Sequence, residues 1–235
     1  MKESYQDFIK RISVFEKRDL DLGKSYFKGK PSLKNKIDEN NRLKDFFGDT
    51  VVFDLDKKNK EKISIIIDEI YTNCPECFAE KLKSETLHMT LHDLSNSPKI
   101  EDIEGEMSRN HSMIKDIINH IGVHKIKMRA NFIFNMVNTS LVLGLVPLDE
   151  GEYDKLMRLY CLIDESVKEA QYPLTPHITL AYYSINGFDE KSRKALEDLV
   201  YRLNAVDIRI TLDTKNLFYQ RFYSMNDYKN IIKLA

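Results

Sequence analysis

The sequence predicts an α+β fold of two similar halves, each a small sheet covered by helices on one face. Three observations carry this expectation. Strand-like and helix-like stretches recur in a matched order, and the helical stretches are amphipathic. One short phrase is also written twice: "LHMTLHDLS" at 87–95 returns as "PHITLAYYS" at 176–184. Side by side, His88 falls on His177, Thr90 on Thr179, Leu91 on Leu180 and Ser95 on Ser184.

The elements follow in order. Residues 1–20 carry Tyr5, Phe8, Ile9, Ile12 and Phe15 at helical spacing, and 21–42 turns polar with Gly23, Gly29 and Pro31 breaking any period. We read 1–47 as an extension or flap and 48–235 as one bilobal domain. "TVVFDLD" (50–56) reads as a strand. The stretch 60–83 reads as mostly helical, with Ile63, Ile66, Ile67 and Ile70 on one face and Pro75 interrupting it. The first repeat strand comes next, then a helix over 106–121. Residues 124–137 alternate, placing Ile126, Met128, Ala130, Phe132 and Phe134 on one face and Lys125, Lys127, Arg129 and Asn131 on the other. "NTS" turns this strand back into 141–148, and acidic residues open a helix over 149–170. The second repeat strand, a helix at 189–204, strands at 206–214 and 216–224 and a short amphipathic segment complete the chain.

Composition narrows the function. With 235 residues, 42% of them hydrophobic, the chain can bury a working core. Lys+Arg at 36 against Asp+Glu at 37 leaves a net charge of −1, which argues against a dedicated duplex nucleic-acid binder. The N-terminus lacks the apolar run of a signal peptide and no stretch reaches a membrane span, so we expect a cytoplasmic protein. Three cysteines make no disulfide framework. Cys74 and Cys77 spell "CPEC", but no second pair follows at zinc spacing, and two half-buried thiols near a helix end is the plainer reading.

On a strand, His88 and Thr90 share one face while Met89 and Leu91 take the other, and His177 and Thr179 repeat this opposite Ile178 and Leu180. Packing explains why the leucines recur, but not why His and Thr do so on the opposite face. Two facing imidazoles suit phosphoester cleavage. One accepts a proton from the attacking oxygen and the other supplies one to the leaving oxygen, while two hydroxyls hold the phosphoryl oxygens. No metal is needed. His88 and His92 have the spacing of a helical chelate, but on a strand they stand roughly 13 Å apart and cannot share an ion.

By the same alternation His92 and Tyr183 share the face of the motif residues. His92 then lines the cleft or is an ordinary exposed histidine, the plainer choice. Tyr183 stacks on a base at the cleft edge or packs against a loop. Arg129 and Asn131 are candidates for phosphate or ribose contact, with a solvated strand face as the plainer reading; Tyr219, Arg221 and Tyr223 are read the same way.

The paired motifs "LHMTL" and "PHITL" resemble those of the two-histidine (2H) phosphoesterase superfamily, whose LigT-like members are also called 2′-5′ RNA ligases or RNA 2′,3′-cyclic phosphodiesterases. The resemblance covers about 48–224 in element order. It implies a pseudo-two-fold fold with two antiparallel sheets lining a central cleft and helices outside. It also implies an acid/base pair of His88 and His177, phosphate contacts from Thr90 and Thr179, and no cofactor. Many members carry a basic residue soon after the second motif, where this chain has Ala181, Tyr182 and Tyr183. The expected activity is metal-independent hydrolysis of a 2′,3′-cyclic phosphate or a 2′-5′ linkage in a small nucleotide or RNA end, by a monomer. Alternatives are a non-catalytic nucleotide or RNA-end binding module, RNA ligation as the reverse reaction, and a partner-binding protein working through residues 1–47.

Overall fold

The computed structural model describes residues 3–16, 20–23, 25–205 and 207–235, apart from the side chain of Asn131. Helix α1 (Tyr5–Ser13) is followed by β1 (Phe47–Asp54), α2 (Lys57–Asn73), β2 (His88–Ser97) and α3 (Glu104–Ile117). There follow β3 (Lys125–Met136), β4 (Ser140–Pro147), α4 (Glu150–Ser166), β5 (His177–Tyr182) and α5 (Glu190–Leu203). The chain ends with β6 (Ile208–Asp213), β7 (Leu217–Ser224) and β8 (Asp227–Lys233).

Aspartates set the starts of three helices. The carboxylates of Asp56, Asp149 and Asp189 accept from the amides of Asn59, Glu152 and Ser192 at 2.8, 2.9 and 2.8 Å, opening α2, α4 and α5. Helix α2 ends at Asn73, at the interruption expected from Pro75 within 60–83: Cys74 leaves helical geometry at φ −138° and Pro75 follows with no amide to donate. Its Ile63, Ile66, Ile67 and Ile70 are buried as the spacing implied. Both thiols of "CPEC" are buried and free.

Two four-stranded antiparallel sheets form the α+β frame, in orders β2-β1-β7-β8 and β5-β4-β3-β6. The chain therefore exchanges strands: β7 and β8, from the C-terminal end, complete the sheet begun by β1 and β2. The physical reason lies in β1. Its Val51, Val52 and Phe53 are all buried, so both edges and both faces need cover, and β7 supplies the second edge. The terminal segment is a full strand, β8, which sequence alternation alone did not reveal.

Strand β3 carries a bulge between Arg129 and Phe132, which overturns the strict alternation expected over 124–137. Beyond it, Phe132 opposes Gly144 and Phe134 opposes Val142, which in turn oppose His177 and Thr179. Phe132 and Phe134 thus share the face of the motif residues rather than that of Ile126 and Met128. Phe15 covers Phe134 there, with ring centroids 4.7 Å apart.

Residues 25–47 are woven into both lobes, with Leu20 and Leu22 before them. Leu20, Leu22, Phe27, Leu33, Ile37 and Phe46 are buried in the core. The Lys30 amide donates to Asn138 O (2.9 Å) in the β3–β4 turn, and the Phe46 amide to Tyr223 O (2.9 Å) on β7. In the first lobe the buried carboxylate of Asp49 accepts from the Ser95 amide (2.9 Å), the Ser95 hydroxyl, Asn110 Nδ2 (3.1 Å) and Tyr219 OH (2.9 Å). Tyr219 is therefore a core residue, not part of a solvated face: its partner needs a donor where water cannot reach.

Candidate active site

The two sheets meet at their edge strands β2 and β5, the strands that carry the repeated phrase. Met89, Leu91, Ile178 and Leu180 are fully buried beneath them, while His88, Thr90, His177 and Thr179 are half-buried on the inner face. The four motif side chains are brought to one seam. The likeness extends to atoms. His88 Nδ1 lies 2.6 Å from Thr86 O, and His177 Nδ1 lies 2.7 Å from Thr175 O, in each case the carbonyl two residues upstream. A carbonyl can only accept, so both rings carry their proton on Nδ1 and leave the Nε2 lone pair for chemistry.

Burial pushes the pKa of both imidazoles below the ordinary histidine value, against the opposing pull of these carbonyl bonds. Their remaining surroundings differ. Asp54, in register with His88 across β1, and Asp93 favour charge on His88, whereas charge on His177 disfavours it. At His177, Asp93 favours charge and Lys36 opposes it.

A bulge follows each motif at the same place. Pairing runs from Thr90 opposite Val52 to His92 opposite Val51, and from Thr179 opposite Val142 to Ala181 opposite Leu141, leaving Leu91 and Leu180 as the extra residues. One extra residue reverses the faces of everything after it. This corrects two expectations for one reason. His92 neither lines the cleft nor is exposed: it is 2% accessible, with Nδ1 2.7 Å from Asp93 O, Nε2 3.1 Å from Asp164 Oδ1 on α4, and its ring stacked on Tyr160 at 5.2 Å. Tyr183 does not reach the cleft edge. It is fully buried among Phe27, Phe78 and Phe188, with ring centroids 4.7, 5.8 and 6.0 Å away.

The inner face after the bulges belongs instead to Asp93 and Tyr182. Asp93 Oδ2 accepts from Tyr172 OH at 2.8 Å, linking β2 to the loop that leads into β5. Tyr182 OH and Tyr228 OH converge on Met225 Sδ, at 3.0 and 3.7 Å, and the Tyr228 ring lies 4.8 Å from that of His88. Sequence reading missed these residues. The consecutive apolar pair Leu180-Ala181 was a usable signal for the second bulge, but nothing local marks Tyr228. Arg129 pairs with Glu16 Oε1 at 2.9 Å. The Asn131 side chain lies outside the described residues.

Beside Tyr228, a cavity of about 320 Å³ opens next to the first motif, lined by Asp54, Thr86, Gln220, Asn226 and Asn230 among others. Among the described residues no group of three or more His, Cys, Asp or Glu side chains is placed to hold a metal ion, and no helix is long and apolar enough to cross a membrane.

No protein-family model and no curated protein matches the chain. Solved structures do. A conserved protein of unknown function from Agrobacterium tumefaciens str. C58 superposes with a TM-score of 0.66 at 14% identity, over 88% of this chain and 94% of that one. E. coli LigT in apo form matches at 0.48 and 14% identity, over 80% and 95%. LigT complexed with 3′-AMP matches at 0.49 and 14%, over 80% and 96%. The first of these defines a shared fold: α+β, with two antiparallel sheets and helices around them.

Proposed function

We propose that the protein is a two-histidine phosphoesterase that hydrolyses a 2′,3′-cyclic phosphate or a 2′-5′ linkage in a small nucleotide or RNA end, without a metal. One observation carries this reading: two His-x-Thr pairs on facing edge strands, each imidazole anchored through Nδ1 to the carbonyl two residues before it. Packing asks for neither the polar pairs nor the duplicated anchor, whereas in-line displacement at phosphorus asks for both.

The charges around the rings divide the labour. Burial opposes and Asp93 favours charge on both rings; what differs is Asp54, which favours a proton on His88, the acid, and Lys36, which opposes one on His177, the base. Water gives a proton to His177 Nε2 as its oxygen bonds to phosphorus, while the breaking P–O bond takes its electron pair and the His88 proton onto the leaving oxygen. Thr90 and Thr179 donate hydrogen bonds to the non-bridging oxygens as charge builds there.

Hydrolysis of a panel of nucleoside 2′,3′-cyclic phosphates and 2′-5′ dinucleotides in EDTA tests the reading. Turnover should survive chelation, and loss of all turnover on adding EDTA would sink the metal-free mechanism. The pH profile is a second check. The working state holds one proton between two imidazoles whose pKa values both lie below the ordinary value of about 6.5. Accordingly kcat/KM should be bell-shaped with its maximum on the acid side of about 6.5. It falls at higher pH as His88 loses its proton and at lower pH as His177 gains one. A plateau extending to pH 9 would contradict this.

A further inference from the structure

The segment before β1 places a cation at the seam. Lys36 ends a short turn, Pro31–Asn35, with its amide donating to Leu33 O (2.9 Å) and its carbonyl accepting from the Lys44 amide (2.8 Å). Leu33 and Ile37, buried at 1% accessibility each, clamp it on both sides. Its ammonium lies 5.3 Å from the ring centre of Tyr182, the inner-face residue that follows the second motif, and 5.1 Å from that of Phe46. A row of rings continues from Phe46 to Phe222 (6.1 Å), Tyr228 (5.5 Å) and His88 (4.8 Å). Lys36 therefore faces the space shared by both motifs.

This cation is half-buried, and among the ion pairs of the described residues it takes part in none. Two aromatic faces hold it, and no carboxylate among the described residues lies within ion-pair distance to neutralise it. What remains unmet is an anion. Stability alone gives no reason to hold a lysine here, because the neighbouring apolar side chains already dock the segment.

We propose that Lys36 binds the charged phosphoryl group of the substrate, so that the segment before β1 completes the anion site. The inference rests on the phosphoesterase reading for the identity of the anion. It makes residues 25–47 part of the binding machinery, and it places the phosphoryl charge on the Tyr182 side of the seam, beside His177.

Calorimetric titration with inorganic phosphate, on wild type, Lys36→Gln and Lys36→Arg, reads the binding directly. Lys36→Gln should weaken phosphate binding roughly tenfold or more, and Lys36→Arg should stay within about threefold of wild type. In the same proteins, NMR titration of the His177 ring reports a neighbour's charge. The charged groups that act on His177 are Asp93 on β2, which favours its protonation, and Lys36, which opposes it; His88 shares the seam. Removing the ammonium should move the His177 midpoint upward; an unmoved midpoint would put the Lys36 charge away from the seam and overturn the proposal. Equal phosphate affinity in wild type and Lys36→Gln, or no phosphate binding by wild type, overturns the proposal. Lys36-dependent phosphate binding without turnover on any diester would retain this site and reject the hydrolytic reading instead.

Discussion

His177→Ala should lower kcat on a cyclic phosphate or 2′-5′ dinucleotide by about 10²–10⁴-fold, and His88→Ala by a similar factor. Each substitution removes one end of a single proton relay and leaves the other ring, still tied to its carbonyl, with no partner across the phosphorus. The double variant should be little worse than the poorer single one, because the two groups act in one transition state and their losses do not add. Thr90→Val and Thr179→Val should each lose about 10²-fold, as a donor to developing charge is removed with little change in volume. Folding should be almost unaffected, since all four side chains are only half-buried on the inner face. Single-turnover rates on the best panel substrate settle the matter. Activity within tenfold of wild type in either His variant would remove that ring from the mechanism.

Tyr183→Ala should destabilise the fold by about 3–5 kcal/mol, the usual cost of deleting a large aromatic ring from a core. The ring is wholly buried between Phe27 of the N-terminal segment, Phe78 after α2 and Phe188 before α5, so the vacancy opens where three parts of the chain meet. Tyr183→Phe should do the opposite. The phenol oxygen is buried with no hydrogen-bond partner, and burial drives its pKa well above the ordinary tyrosine value. Removing it should stabilise the protein by about 1–3 kcal/mol, the cost commonly attached to such an orphan. Denaturant unfolding of the two variants gives both numbers. Turnover of Tyr183→Phe should equal that of wild type; a large rise in KM would return Tyr183 to the cleft, against its observed packing.

The placement of the four motif side chains in the candidate site was legible in the sequence. Recurrence of His and Thr at alternate positions, over an apolar partner pair, gave the inner face of both motif strands, because two-residue alternation is a local property of an extended chain. It failed just beyond the motifs, at His92 and at Tyr183, and also at Phe132 and Phe134. In each case a bulge intervenes. Bulges are fixed by which strand lies opposite and where its ladder resumes, and that partner is remote in sequence.

By itself the sequence determined the α+β class, the amphipathic faces of the helices and the two His-x-Thr pairs, since all of these depend on neighbours within one turn of helix or one strand. Only the tertiary structure decided that β7 and β8 complete the first sheet, that Asp93 and Tyr182 rather than His92 and Tyr183 face the seam, and that Lys36 arrives there from a segment that reads as a polar loop. Those outcomes come from pairing and burial between residues tens to hundreds of positions apart. Local pattern carries the side-chain chemistry, and the register of distant strands decides which way it points.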